Sequence, residues 1–356
     1  MNYFRRFISQ QFQKNETALH PLTYLFWECT WRCNLSCLHC GSDCKADATH
    51  PDMLFSDFRQ AIQPLTKKYK KDSITVVMTG GEPLLRKDLA DCGLRLRQNG
   101  FRWGIVTNGY AYNEEVHHKL LAAGMGAVTL SIDGLEETHN RLRNNSNSFQ
   151  KAMHALDLIV TSNRLNYDVV TCVHPANLHE LDELKMVLLK HKVKAWRLFT
   201  IAPIGRASHQ TDLQLNGLQL KTMMEFIQRM RKENEIDIKF SCEAYTGPYE
   251  DKVRDGFFFC RAGINIASVL IDGSISACPN INRSFSQGSI YQDDFLSVWE
   301  NRFQIMRNRN WMKTGICNDC KAFKHCNGGA MHLWDENKKG ILHCIYKSMQ
   351  NEMLPE

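Results

Sequence analysis

The 356-residue chain contains no apolar run of the length needed to cross a bilayer. Residues 1–20 carry Arg5, Arg6, Lys14 and Glu16 and no apolar h-region, so secretion is not expected and the reading is cytoplasmic. The formal charge of +6 is spread along the chain with no massed run of Lys and Arg, which argues against a nucleic-acid partner. Internal repeats and low-complexity segments are also missing. These absences leave an ordinary globular protein, 43% apolar and large enough for a substantial core.

Cysteine is what the chain has in excess, with 14 residues. Without a secretory signal a disulfide scaffold is disfavoured, and metal ligation in a reducing compartment is the better reading. Cys33, Cys37 and Cys40 form C-x3-C-x2-C within CTWRCNLSCLHCGSDC, residues 29–44. Three thiolates leave one metal position open, as a cluster that must bind a non-protein group requires, whereas closed zinc sites use four ligands. Cys29 falls inside a strand pattern and Cys44 beyond the loop, so both are read as structural.

From residue 22 the sequence alternates strand and helix patterns. Strands are predicted at 24–29, 74–79, 103–107, 127–132, 167–173 and 195–201, and helices at 54–70, 86–99, 112–123, 148–163, 178–191 and 214–233. Such alternation predicts an α/β fold with a parallel sheet, a partial (β/α)6 TIM-like barrel over 21–235, followed by a smaller cysteine-bearing C-terminal domain over 236–356. Ligands gather at the carboxyl ends of such strands, where the chain reads TGGEP (79–83), TNG (107–109), SIDG (131–134) and APIGRA (202–207). Residues 1–20 form an amphipathic segment with Phe4, Phe7, Ile8 and Phe12 opposite Arg5 and Arg6. Its apolar face is expected to pack on its own domain, with a membrane or a partner as the alternative.

CNLSCLHC followed by GGEP resembles the radical S-adenosylmethionine (SAM) superfamily, and the resemblance continues through SIDG and APIGRA. It implies a [4Fe–4S] cluster on Cys33, Cys37 and Cys40 whose remaining iron binds SAM. It also implies SAM contacts from Gly80, Gly81, Glu82, Asn108, Ser131, Asp133 and Arg143, with Arg141 as the rival of Arg143, and adenine contacts from APIGRA. The order Cys260, Cys278, Cys317-x2-Cys320-x5-Cys326, Cys344 resembles the SPASM domain, which holds auxiliary iron–sulfur clusters; a zinc ribbon is the bland alternative. By that resemblance Cys317, Cys320, Cys326 and Cys344 hold one cluster, and Cys260 and Cys278 belong to another.

Two residues depart from the family pattern. Ala330 stands where a further cysteine is usual, so the second auxiliary site lacks a thiolate; Cys242 is a replacement candidate, and His332 and His343 are poorer ones. Pro279 stands where sulfatase-maturing relatives place an aspartate base, and proline takes no proton. Asp272, Glu243 and Tyr245 are nearby polar residues, but no spacing rule selects a base among them, so the catalytic residues stay unassigned. The resemblance implies a radical SAM enzyme acting on a peptide or protein, served by a flavodoxin- or ferredoxin-type donor. Its rivals are a tetrapyrrole side-chain decarboxylase and a non-catalytic iron–sulfur or zinc protein that binds a partner.

Overall fold

The computed structural model describes residues 3–241 and 243–351. Six parallel strands run in sequence order, β1 (Tyr24–Thr30), β2 (Thr75–Gly80), β3 (Arg102–Thr107), β4 (Ala127–Ser131), β5 (Asn166–Val173) and β6 (Ala195–Thr200). They carry the predicted segments to within about two residues. A seventh strand, β7 (Asp237–Phe240), joins β6 in parallel, so the alternation runs one unit past its expected stop near 235.

The other side of β1 is also extended. There β8 (Ile266–Val269) pairs in parallel with β1, and β9 (Ser274–Ser276) and β10 (Gly288–Ser289) follow in antiparallel order. Ten strands thus form one open sheet whose ends do not meet, with C-terminal residues built into the barrel sheet itself.

The crossover helices are α2 (Phe55–Ile62), α3 (Leu65–Lys68), α4 (Leu89–Gln98), α5 (Glu114–Ala122), α6 (Glu136–Arg143), α7 (Ser148–Val160), α8 (Leu181–Lys190) and α9 (Gly217–Glu233). The single helix expected at 54–70 is two, because Pro64 interrupts it. The α6 segment was not predicted as a helix: its sequence EETHNRLR is polar, and its buried side is made of His139, Leu142 and Arg143. Trp27, Trp103 and Trp196 fill the interior, and Trp27 stacks on Phe58 with ring centroids 4.5 Å apart.

The N-terminal helix α1 (Tyr3–Leu19) overturns its expected packing. Its polar side meets the protein: Arg6 donates to the Tyr245 hydroxyl at 3.0 Å, Gln10 bonds His325, and Gln13 donates to the Phe258 carbonyl at 3.0 Å. Phe4, Phe7, Ile8 and Phe12 face outward.

Candidate functional site: the cysteine loop and the strand ends

The loop after β1 carries Cys33, Cys37 and Cys40 across the carboxyl ends of the strands. Two contacts fasten it to the loop after β2, where Gly81 N donates to Thr30 O at 2.7 Å and Glu82 N to Arg32 O at 2.9 Å. The approach is so close that a Cβ on Gly80 would lie 2.2 Å from Thr30 O, and one on Gly81 2.1 Å from Arg32 O. Glycine is therefore required at both positions by the backbone of the cysteine loop.

Glu82 is buried, and its carboxylate accepts from Leu84 N at 3.1 Å, Thr107 Oγ1 at 2.9 Å and Asn108 N at 2.8 Å. Burial pushes its pKa up to about 7 against these hydrogen bonds. The side chain acts as a strut joining β2 to the end of β3. Asn108 Nδ2 in turn lies 3.9 Å from the Cys33 sulfur and 2.9 Å from Asn34 Oδ1. Ser131 ends β4 and is half-buried.

Asp133 and Arg143 form the most buried charge pair of the site. Burial raises the Asp133 carboxyl, but Arg143, His39 and His139 together with the Cys172 amide outweigh it and hold it well below the usual carboxylate range. Arg143 NH1 also lies 3.7 Å from the Cys37 sulfur. Arg141, its sequence rival, is exposed. Sequence reasoning gave no role to His39, whose Nε2 is 3.7 Å from Asp133 and whose pKa burial lowers to about 4, so the imidazole is neutral. Its place inside the cysteine triplet was the available signal.

Arg206 of APIGRA was also undervalued. Its amide donates to Cys40 O, its Nε to Cys37 O and its NH1 to Cys44 O, all at 2.9 Å. Gly205, at φ +57°, lets this loop close, since a Cβ there would meet Gly41 O at 2.4 Å. The Cys44 thiol lies against Cys40, and this hydrogen bond makes Cys40 the readier of the two to ionise. Cys29 is fully buried in the core.

In the C-terminal part, burial raises the thiols of Cys317, Cys326 and Cys344, and the nearness of the other thiols, Cys320 among them, raises them further. Among the described residues, no three of these thiols come within 4.8 Å of one another, the one such ligand group being His39, Asp133 and Cys172.

Cys260 lies ahead of β8 and Cys278 just after β9. Amides of Met331 and Ala262 point at the buried Cys260 sulfur, beside the buried Ala330. Cys242 lies outside the described residues. His332 is half-buried, and desolvation lowers its pKa to about 4. Of the polar residues near Pro279, Asp272 pairs with Arg283, Glu243 accepts from Thr200, and Tyr245 is held by α1.

Residues 27–188 match the radical SAM superfamily and residues 260–321 the SPASM iron–sulfur cluster-binding domain. The chain belongs to the radical SAM superfamily. It is 23% identical over 345 residues to the AdoMet-dependent heme synthase of Methanosarcina barkeri, covering 90% of this chain and 95% of that one. It is 26% identical over 326 residues to the mycofactocin maturase MftC of Mycolicibacterium smegmatis, covering 90% and 80%. A structure of anSMEcpe with bound AdoMet shares the fold at a TM-score of 0.71 and 18% identity, over 93% of this chain and 95% of that one. SuiB of Streptococcus suis bound to its precursor peptide SuiA does so at 0.69 and 14%, over 95% and 79%.

This radical SAM enzyme uses SAM and [4Fe–4S] clusters. When bound, the reduced cluster and SAM supply a 5′-deoxyadenosyl radical. The site fits that pair: three thiols on one loop leave a ligand position free, and Asn108 and Arg143 stand near two of the sulfurs where they temper the charge of thiolates.

Proposed function

We propose that this radical SAM enzyme modifies a peptide or protein, with Cys33, Cys37 and Cys40 holding the SAM-cleaving cluster and Glu82, Asn108, Ser131, Asp133 and Arg143 framing the SAM site. Cys317, Cys320, Cys326 and Cys344 hold an auxiliary cluster in this reading, and a flavodoxin- or ferredoxin-type protein supplies electrons.

One observation carries the choice of substrate. A trough of about 1280 Å³ runs between the segment after Cys40, the loop after β6 and the C-terminal residues around Pro279 and Trp334. Its charged lining consists of Glu28, Asp43, Asp47, Asp335 and Glu336 against Lys45 and Arg283, five carboxylates to two cations. Glu28 is paired with Arg283, and Asp43 with Arg206 and Lys45, so the acidic excess rests on Asp47, Asp335 and Glu336; a tetrapyrrole, with several carboxylates of its own, is the less favourable match. A peptide carries no such burden, and the wide, polar opening suits an extended chain.

The tetrapyrrole reading has its own support in the likeness to the heme synthase. The two are separated by anaerobic incubation of the reconstituted, reduced enzyme with SAM and either a propionate-bearing porphyrin or a library of short peptides. A mass change in a peptide is expected. Loss of carbon dioxide from the porphyrin, with every peptide unchanged, would replace this proposal with the decarboxylase.

A further inference from the structure

The helix α1 presents large apolar side chains on its outer side, most of them in its N-terminal half. Phe4, Phe7, Ile8, Phe12 and Leu19 are 65%, 57%, 51%, 47% and 73% exposed. At 3.6 residues per turn these five fall on one side of the helix; from Phe4 to Phe12 the stripe runs about 12 Å, and Gln11 and Asn15, bonded to each other, share that side before Leu19. The opposite side is occupied by the protein, because Arg6, Gln10 and Gln13 bond Tyr245, His325 and Phe258, and Glu16 faces Arg261 at 3.7 Å. The helix therefore cannot roll its apolar side inward without breaking that set of contacts. The orientation is built into the fold.

Charge selects the occupant. Arg5 and Lys14 are exposed and flank the stripe on its two edges, and the Arg261 guanidinium sits 5.7 Å from the Phe12 ring. Glu16, the only acidic residue of α1, is turned toward Arg261. Large apolar residues along a convex ridge, bordered by cations, match the two components of an anionic lipid interface, acyl chain and headgroup. We propose that α1 lies in the surface of an anionic membrane, which holds the enzyme there with the polar side of the helix, Tyr245 and His325 facing the protein.

The surface is independent of the chemistry proposed above, and its test needs no substrate. The reconstituted full-length enzyme is floated with vesicles of phosphatidylcholine alone or mixed with phosphatidylglycerol. Binding is expected to the mixed vesicles only. Replacing Arg5 and Lys14 together by Gln should weaken it about thirtyfold, each cation near the surface contributing about a decade or less. The quadruple variant Phe4→Ser, Phe7→Ser, Ile8→Ser, Phe12→Ser should abolish binding while SAM cleavage is retained, because these exposed positions belong to α1 and not to the cysteine loop or the strand-end loops of the SAM site. Equal recovery of wild type and quadruple variant with the mixed vesicles would overturn the proposal. So would a wild-type enzyme that stays off both vesicles, or one that forms a dimer lost in the quadruple variant, which would give the face to a second copy. A Phe7→Trp variant gives a second readout if the quadruple variant does not fold. Quenching of its added emission by brominated lipid in the mixed vesicles is expected, and no quenching would also overturn the assignment.

Discussion

Arg143 closes on Asp133 with Nε 2.7 Å from Oδ2, and both side chains are buried. Asp133 also accepts from Cys172 N at 2.9 Å, and its carbonyl accepts from Asn177 Nδ2 at 2.7 Å. The pair thus ties β4, α6 and the end of β5 together beneath Cys37. Removing one member leaves the other buried and uncompensated, a change that typically costs about 3–5 kcal/mol. Asp133→Asn is expected to lower the unfolding free energy by about that amount, read by denaturant unfolding. The double variant Asp133→Asn, Arg143→Met should recover part of the loss. Since Asp133 is held well below its ordinary pKa, its stabilisation is present above that ordinary value and is lost only as pH falls through the depressed one. An unchanged unfolding midpoint in Asp133→Asn would mean the pair is not a tie.

Glu82 and Glu243 shift the other way. Burial raises both to about 7 from an ordinary 4.5. The folded protein then holds protons through that window that the unfolded chain has released, so stability is full below 4.5 and falls as pH rises toward 7. Unfolding at about pH 5 and about pH 8 is expected to show the metal-free protein weaker at the higher pH, by up to roughly 3 kcal/mol for each group. Glu82→Gln should remove about half of that pH dependence. In the reconstituted enzyme the same variant is expected to weaken SAM binding more than it lowers iron content, as titration of SAM would show.

Much of this was legible from the chain because the chemistry sits in short motifs at strand ends. The six strands were visible as β-branched and aromatic runs, and GGEP and the cysteine triplet fixed which ends mattered. Pairing was less visible. Nothing in HNRLRN says that Arg143 turns inward onto Asp133 while Arg141 stays in solvent; the register of α6 against β4 decides it. The joining of β8 to β1 could not be read either, since it depends on contact between residues about 240 apart in sequence. For α1 the periodicity was plain, but which side faces the protein is set by Tyr245, His325 and Phe258, all far along the chain.

Arg206 holds the cysteine loop by three carbonyls and by Asp43. Arg206→Ala keeps the backbone contact to Cys40 and loses the side-chain bonds to Cys37, Cys44 and Asp43. Hydrogen bonds from a charged group contribute roughly 1.5–3 kcal/mol each, so the loop should loosen. Reconstituted protein is expected to hold the C-terminal cluster in full and the loop cluster in part, read as iron and sulfide per chain and by the SAM-dependent change in the spectrum of the reduced cluster. Faster proteolysis within residues 41–50 would accompany it. A variant with full iron and an unchanged spectrum would show the clamp to be dispensable.

Ala330 tests how the C-terminal cysteines are shared. Its side chain is buried, its amide donates to Glu243 O at 3.2 Å, and the next amide points at the Cys260 sulfur. A thiol placed here would stand next to Cys260, on the side where the family pattern expects a ligand. If Cys260 and Cys278 hold a cluster short of one thiolate, Ala330→Cys is expected to add a ligand, so that the reconstituted variant gains iron and sulfide or changes the spectrum of an existing cluster. If no iron lies there, the extra sulfur atom only overfills a packed site, and the variant should lose about 1–3 kcal/mol with no spectral change. The wild-type protein should carry about 8 iron atoms per chain if the loop and the quartet each hold a cubane, and more if a third cluster sits at Cys260. Replacing Cys317, Cys320, Cys326 and Cys344 by Ala should remove about four of them and leave SAM cleavage in place. Stoichiometric zinc without sulfide in the quartet would refute a cluster there, and the loop after β1 would keep its assignment, because its three thiols and its contacts to Asn108, Arg143 and Arg206 do not depend on the C-terminal residues.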